Sequence, residues 1–432
     1  MISIKPFRAI RYNPAKVKDL SRVVSPPYDI IPARMQEGLY RTHPNNIVRL
    51  ILGKQKKSDS INDNRYTRAK GFFETWLKAR VMIRDDEKAM YIYSQIYREG
   101  KRIIDMAGFI GLMGLDTGKG ASVLPHENTL ASPKTDRMNL MRQVRANLSP
   151  ILVLYEDRGR KVKNILKEVR GRKDKKIIDF EFDNVRHRVW RLDDKYAINK
   201  IEGLMAAKDI FIADGHHRYE VARDYSLGLQ DEPVPREVKD SSKYMMAYFV
   251  ESDEAMLTIL PAHRLIKDAG RLSKEDAINR LDEFFVIRKM PGLKTLMSEL
   301  GRMADKRVFG IYLGKGNFYI LKLRDAGYSD RVIRGKSKDW KRLDVSILHQ
   351  FILQHVLGIR DEDDNVEFFK NPADAVRLVD NLGYKMAFFL NPTKVSQVKR
   401  IAKLGEKMPR KATYFYPKPL SGLVIHKFED ER

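Results

Sequence analysis

The run Asp214-Gly215-His216-His217-Arg218 places a carboxylate, two imidazoles and a guanidinium around one glycine. It lies between the apolar stretch Ile210 to Ala213 and a segment in which Val221, Ala222 and Tyr225 recur at helical spacing. The order predicts a strand, a tight turn and a helix. Gly215 supplies the backbone freedom of a sharp turn. The N-terminus of the helix offers unpaired N–H groups and the positive end of its dipole to an anion. Arg218 adds a fork suited to phosphate oxygens. His216 or His217 could donate hydrogen bonds or exchange a proton near neutral pH. Asp214, at the end of the strand, could act as a base or as a carboxylate ligand to Mg²⁺. The plainer alternative is that Asp214 caps the helix and the histidines satisfy buried carbonyls.

A second cluster, His126-Glu127-Asn128-Thr129 followed by Lys134, Asp136 and Arg137, sets acid, base, hydroxyl and cation in one short stretch. Loops held between rigid elements are where catalytic groups tend to lie. Capping of the next helix by Thr135 or Asp136 is the ordinary account of the same residues. No second histidine follows His126 at four residues, so it is not a zinc-protease helix. Gly114-Leu115-Asp116-Thr117-Gly118-Lys119-Gly120 has the look of a phosphate loop. It has three residues between its first glycines rather than four, and Gly120 stands where a Ser or Thr should follow the lysine.

These groups sit in a chain of 432 residues whose 82 Lys and Arg against 57 Asp and Glu give a formal charge of +25. Length and a hydrophobic content of 43% predict two or three globular domains. The absence of cysteine excludes disulfides, thiolate metal sites and thiol catalysis. No apolar run approaches the ~20 residues of a membrane helix. The opening residues lack a secretory pattern, so the expected location is the cytoplasm. The positive charge favours anionic partners. It is densest at residues 157 to 176, which could contact RNA or another polyanion, or could simply form a solvated basic helix.

The elements that must position the candidates read as follows. Residues 66 to 80 form an amphipathic helix, and two apolar runs from Met90 to Leu115 form a hairpin around Arg98-Glu99-Gly100-Lys101. A helix is expected at 138 to 148, a strand at 150 to 155, the basic helix at 161 to 170 and strands at 188 to 192 and 209 to 213. Ile47 to Leu52 reads as a strand, and strands at 244 to 250 and 256 to 260 would extend the central sheet. The division expected is 1–85, an N-terminal α+β segment; 86–270, a central phosphate- or nucleotide-binding domain; and 271–432, a C-terminal α+β domain. The fold class is α/β with α+β character, its centre a mixed sheet with helices.

Ser25-Pro26-Pro27-Tyr28-Asp29, Asn46-Ile47-Val48-Arg49-Leu50, His126 to Thr129 with Asp136-Arg137, Asn147 to Ile151, Ala213 to Glu220 and Met408 to Lys418 resemble, in this order, the recurrent elements of the domain of unknown function family numbered ten-fifteen. Locally, Asp214 to Ala222 is similar to the phosphate-gripping turn of the ParB and sulfiredoxin-like superfamily, and most of all to its free-serine kinases. That resemblance implies a ParB/sulfiredoxin-like central sheet. It implies that Gly215, His217 and Arg218 hold nucleotide phosphates and that Asp214 stands beside the reacting groups. Sulfiredoxin chemistry is excluded by the lack of cysteine. The expectation is a nucleotide-dependent phosphotransferase for a small polar metabolite, with serine as the specific guess and ATP, ADP or CTP as nucleotide. Asp214, Glu127 and His216 are its candidate catalytic residues, and Asp214 and Glu127 its candidate Mg²⁺ ligands. Gly215, His217, Arg218, His126, Thr129, Lys134, Asp136 and Arg137 are its candidate nucleotide-binding residues. The competing expectation is a nucleotide- or RNA-binding protein without turnover.

Overall fold

The computed structural model describes residues 2–115, 123–129, 131–359 and 365–428. The chain forms two compact units, one of Met1–Pro125, Thr129–Leu257 and Pro417–Arg432, the other of His126–Asn128 and Thr258–Tyr416. Residues 1–85 and 86–257 therefore share one unit. Strand pairing explains why: Ile4–Lys5 lies antiparallel to Arg102–Gly114 within the central sheet. The end of the chain also returns to this unit, where His426–Lys427 pairs with Ala146–Asn147.

The first unit is built on a nine-stranded mixed sheet. Across it run Val123–Leu124, Ile210–Asp214, Ile151–Tyr155, Tyr244–Glu251, Arg102–Gly114, Met90–Glu99, Val185–Leu192 and Lys176–Phe182, with Ile4–Lys5 on the side of Arg102–Gly114. Val123–Leu124 is parallel to Ile210–Asp214, and Ile151–Tyr155 is parallel to Tyr244–Glu251; the other pairs are antiparallel. Ile151–Tyr155 is buried along its whole length, which is why it reads as an unbroken apolar run. Helices Lys161–Arg170, Lys195–Met205 and His216–Gly228 pack on this core through apolar faces such as Val162, Leu166 and Val169. Each such side chain, fully buried, contributes about 1.5–3 kcal/mol. A second core joins helices Arg65–Lys78 and Ala131–Val144 through Phe73, Trp76, Leu140 and Val144.

Three local expectations differ from the structure. Ile47 to Leu52 is β-branched and apolar, yet Val48–Ile51 is a short helix: Asn46 Oδ1 accepts from Val48 N at 2.9 Å and Ile47 O accepts from Ile51 N. Burial of Ile47, Val48, Leu50 and Ile51 outweighs local strand preference. The helix expected at 138 to 148 runs from Ala131 to Val144, and Arg145, at φ +50°, ends it so that Ala146–Asn147 can pair as strand. Thr258–Ile259 does not extend the central sheet; it pairs with Phe415–Tyr416 in the second unit.

The second unit holds a six-stranded antiparallel sheet in the order Phe285–Met290, Phe318–Leu323, Val308–Tyr312, Met386–Phe389, His263–Ile266 and Val366–Phe369. Helices Lys274–Asp282, Leu293–Arg302 and Val395–Lys403 bury one face each. No helix among the described residues is long and apolar enough to cross a membrane.

The basic stretch 157 to 176 forms helix Lys161–Arg170 and its flanks. Much of its charge meets carboxylates of the same unit: Lys163 with Glu251, Arg170 with Asp105, Lys175 with Asp193 and Lys176 with Asp179.

Candidate functional site

Strand Ile210–Asp214 brings its last residue to a turn at Gly215, whose φ is +96°. A Cβ there would stand 2.6 Å from Ile151 Cγ2 and 2.9 Å from Arg218 Nη2, so both backbone and neighbours require glycine. Helix His216–Gly228 follows, and its N-cap position is Gly215. Asp214 is thus not the cap. One of its oxygens accepts from Arg218 Nη2 at 2.8 Å and the other meets the ammonium of Lys418. Arg218 Nη1 also donates to Pro150 O at 2.7 Å.

Lys418 joins this turn to the N-terminal segment. Pro26-Pro27 is followed by a single 3₁₀ turn, Tyr28–Ile30, which presents Asp29; Lys418 Nζ lies 2.8 Å from Asp29 Oδ2. The lysine side chain is 7% exposed. Burial alone would lower its pKa, but the charges of Asp214 and Asp29 more than offset that and hold it above the ordinary lysine value.

Helix Ala131–Val144 contributes the second set of polar groups. Arg137 donates to Ile51 O at 2.7 Å, pairs with Asp136 and lies over the Tyr28 ring at 3.9 Å. Asp136 also accepts from Tyr66 OH at 2.8 Å and pairs with Arg65. Its burial raises the pKa, but Arg137, Tyr66 and Arg65 together hold it below the usual carboxylate range. Thr129 Oγ1 donates to Glu220 Oε2 at 2.5 Å, and Lys134 pairs with the same carboxylate, which belongs to the helix that follows Gly215. Arg137 and Arg218 line one cavity of about 50 Å³ together with Tyr28, Asn147 and Ser149.

The structure therefore brings Arg137 and Arg218 to one cavity and ties Thr129 and Lys134 to the helix of His216 and His217. His216 is buried and His217 half-buried in its first turn. His126 and Glu127 belong to the second unit. There His126 O accepts from Met408 N at 2.7 Å, its Nε2 lies 3.1 Å from Thr413 Oγ1, and Glu127 Oε1 accepts from Lys411 N at 3.0 Å. Asp116 to Gly120 of the phosphate-loop look-alike lie outside the described residues.

A resident Mg²⁺ does not fit this donor set. Among the described residues no group of three or more His, Asp or Glu is arranged to hold a metal ion. Asp214 has each oxygen against a cation, and a metal there would have to displace Lys418 or Arg218.

Residue type and spacing alone assign no role to Asp29, Glu220, Asn147 or Lys418. The signal was present, since all four fall inside the family-like elements, but spacing along the chain does not say which of their side chains meet.

A comparison with curated proteins gives no match. Among solved structures, a free serine kinase in complex with AMP aligns at 14% identity and TM-score 0.32, covering 68% of this chain and 83% of the other. A conserved hypothetical protein from Pyrococcus furiosus aligns at 12% and 0.34, covering 72% and 94%. C-terminally truncated SbnI from Staphylococcus aureus aligns at 12% and 0.36, covering 72% and 85%. The model of a family described as a protein of unknown function, DUF1015, matches residues 4–346, and the chain belongs to that family.

Proposed function

We propose that the first unit carries a nucleotide-dependent phosphotransferase site for a small polar metabolite, with the hydroxyl of free serine as the specific acceptor. The observation that carries this reading is the Gly215 turn: a left-handed glycine at the start of a helix and a buried guanidinium four residues after a strand-end carboxylate. The resemblance of Asp214 to Ala222 to a phosphate-gripping turn supports the same reading. Phosphoryl transfer depends mostly on positioning and on offsetting negative charge. Gly215 N–H, His217 and Arg218 hold the phosphates, and Arg137, on the facing helix, stands beside the acceptor. The acceptor hydroxyl attacks the terminal phosphorus, its proton passes to Asp214, and the bond to the leaving nucleotide oxygen breaks. Asp214 becomes available as Arg218 swings to the phosphates, and Lys418 stays to balance Asp29.

A second reading is favoured by one observation, the saturation of Asp214 by Arg218 and Lys418. In it the network only closes the fold.

Thermal-shift titration with ATP, ADP, CTP and pyrophosphate separates the two. A ligand at 100 times its dissociation constant adds about 2.7 kcal/mol of stability. The phosphotransferase reading expects a nucleotide shift that His217→Ala and Arg218→Lys reduce, followed by phosphate transfer to serine. No shift with any nucleotide, and only lower stability in the variants, would establish the structural network instead.

A further inference from the structure

Asn147 lines the cavity that Arg137 and Arg218 share, and it is 2% exposed. Its backbone is fixed by pairing with His426 in a two-residue ladder. Its side-chain oxygen accepts from Met246 N at 2.9 Å. Because Met246 N is a donor, the amide cannot be flipped, and the NH₂ group must point the other way. That group, Nδ2, is buried and has no hydrogen-bond partner among the described residues. A buried donor left without a partner is costly, and such groups in native proteins call for an explanation.

The two arginines supply the rest. A guanidinium carries five N–H donors. The bonds of Arg218 to Pro150 O and Asp214 leave donors over, and so do those of Arg137 to Ile51 O and Asp136. The remaining walls include Leu140, Met141 and Met245. At about 50 Å³ the space exceeds the ~10–15 Å³ needed for one water. It combines donors, positive charge and apolar walls, with no lining acid. Apolar walls make a doubly charged phosphate expensive to desolvate, whereas a singly charged, flat carboxylate requires few donors.

We infer that this cavity is a subsite for the carboxylate of a small metabolite, gripped by Asn147 Nδ2 and the guanidinium of Arg137, with Arg218 adding positive charge from the cavity wall until the nucleotide phosphates draw it away. The inference rests on the phosphotransferase reading, since it makes the cavity the place where the acid end of the acceptor is held while its hydroxyl faces Asp214. It adds a binding residue, Asn147, and a chemical requirement, a carboxylate, to that site.

Calorimetric and thermal-shift titrations of the full chain test it. L-serine and D-glycerate are compared with ethanolamine and glycerol, which lack the carboxylate, and with inorganic phosphate. The expected result is at least tenfold tighter binding of the two acids than of their counterparts. Asn147→Asp keeps the acceptor for Met246 N but replaces the donor with a negative charge, and should weaken the acids at least tenfold. Ala146→Val, which narrows the cavity from another wall, should do the same and covers the case in which Asn147→Asp fails to fold. Equal binding of acids and neutral counterparts, phosphate binding in place of the acids, or acid binding unchanged in both variants would overturn the inference. ATP and ADP are titrated into the same unmodified protein. A nucleotide response without an acid response overturns the carboxylate subsite alone. An acid response without a nucleotide response supports the subsite and overturns phosphotransfer.

Discussion

Asp29 and Asp214, on segments far apart in the chain, share one ammonium group: Lys418 Nζ lies 2.8 Å from Asp29 Oδ2 and pairs with Asp214 Oδ1. The lysine lies in the C-terminal segment that returns to the first unit, and it closes a charge network that also includes Arg218. Breaking such a buried set by removing one member leaves charges uncompensated.

Lys418→Met should therefore lower stability by about 3–5 kcal/mol. The folded-state pKa of Lys418 lies above its ordinary value of 10.5. A raised lysine pKa means that its contribution is complete below the unfolded value and is lost only as pH rises through the folded one. Denaturant unfolding of both proteins should show a difference that is constant between pH 6 and 9, a window below the unfolded lysine value. A difference that vanished within this window would count against the triad.

Gly215→Ala tests the turn. An alanine must adopt a left-handed backbone, at about 1–2 kcal/mol, and its Cβ would press on Ile151. Overpacking of this kind adds about 1–3 kcal/mol. Thermal unfolding should reveal the loss, and nucleotide binding should fall with it if the turn grips phosphate.

Acid should weaken the first unit through its buried histidines. Burial lowers His187 and His426 from 6.5 to about 4. The unfolded chain takes up protons at these sites before the folded one does, so stability falls as pH drops from about 6.5 through 4, by about 3 kcal/mol per histidine. His426→Gln should flatten that slope in unfolding curves measured at half-unit steps of pH, as should His187→Gln. An unchanged slope in both variants would show that other groups control the acid limb.

In the second unit Asp344 has the opposite sign. Burial raises its carboxyl from 3.8 to about 7. The folded form holds this proton longer than the unfolded chain does, so the stability it contributes is present at low pH and lost as pH rises from about 4 through 7. Asp344→Asn should raise the thermal midpoint at pH 8 and leave it nearly unchanged at pH 4. Calorimetry at the two pH values decides it.

How much of this was legible in the chain differs from element to element. Helix Lys161–Arg170 and the hairpin of Met90–Glu99 with Arg102–Gly114 follow from periodicity and from the Gly100 turn, because their signals are local. The strand, glycine and helix around Asp214 were equally readable, since φ freedom, a buried apolar run and helical spacing are all encoded within a few neighbours. Val48–Ile51 reads as strand yet folds as helix because burial from every side, not local preference, decides a four-residue element.

A cysteine-free, strongly basic chain, its mixed α/β elements, a glycine turn suited to anions and the family motifs can all be read along the chain. Packing at long range sets Asp214 between Arg218 and Lys418, turns Arg137 to the same cavity as Arg218, and leaves the Asn147 amide there without a partner among the described residues. It also placed Glu127 in the other unit from Asp214. The physical reason is range: turn geometry and periodicity act over a few residues, whereas a cavity or an ion network depends on which distant side chains the packed cores bring within a few ångströms.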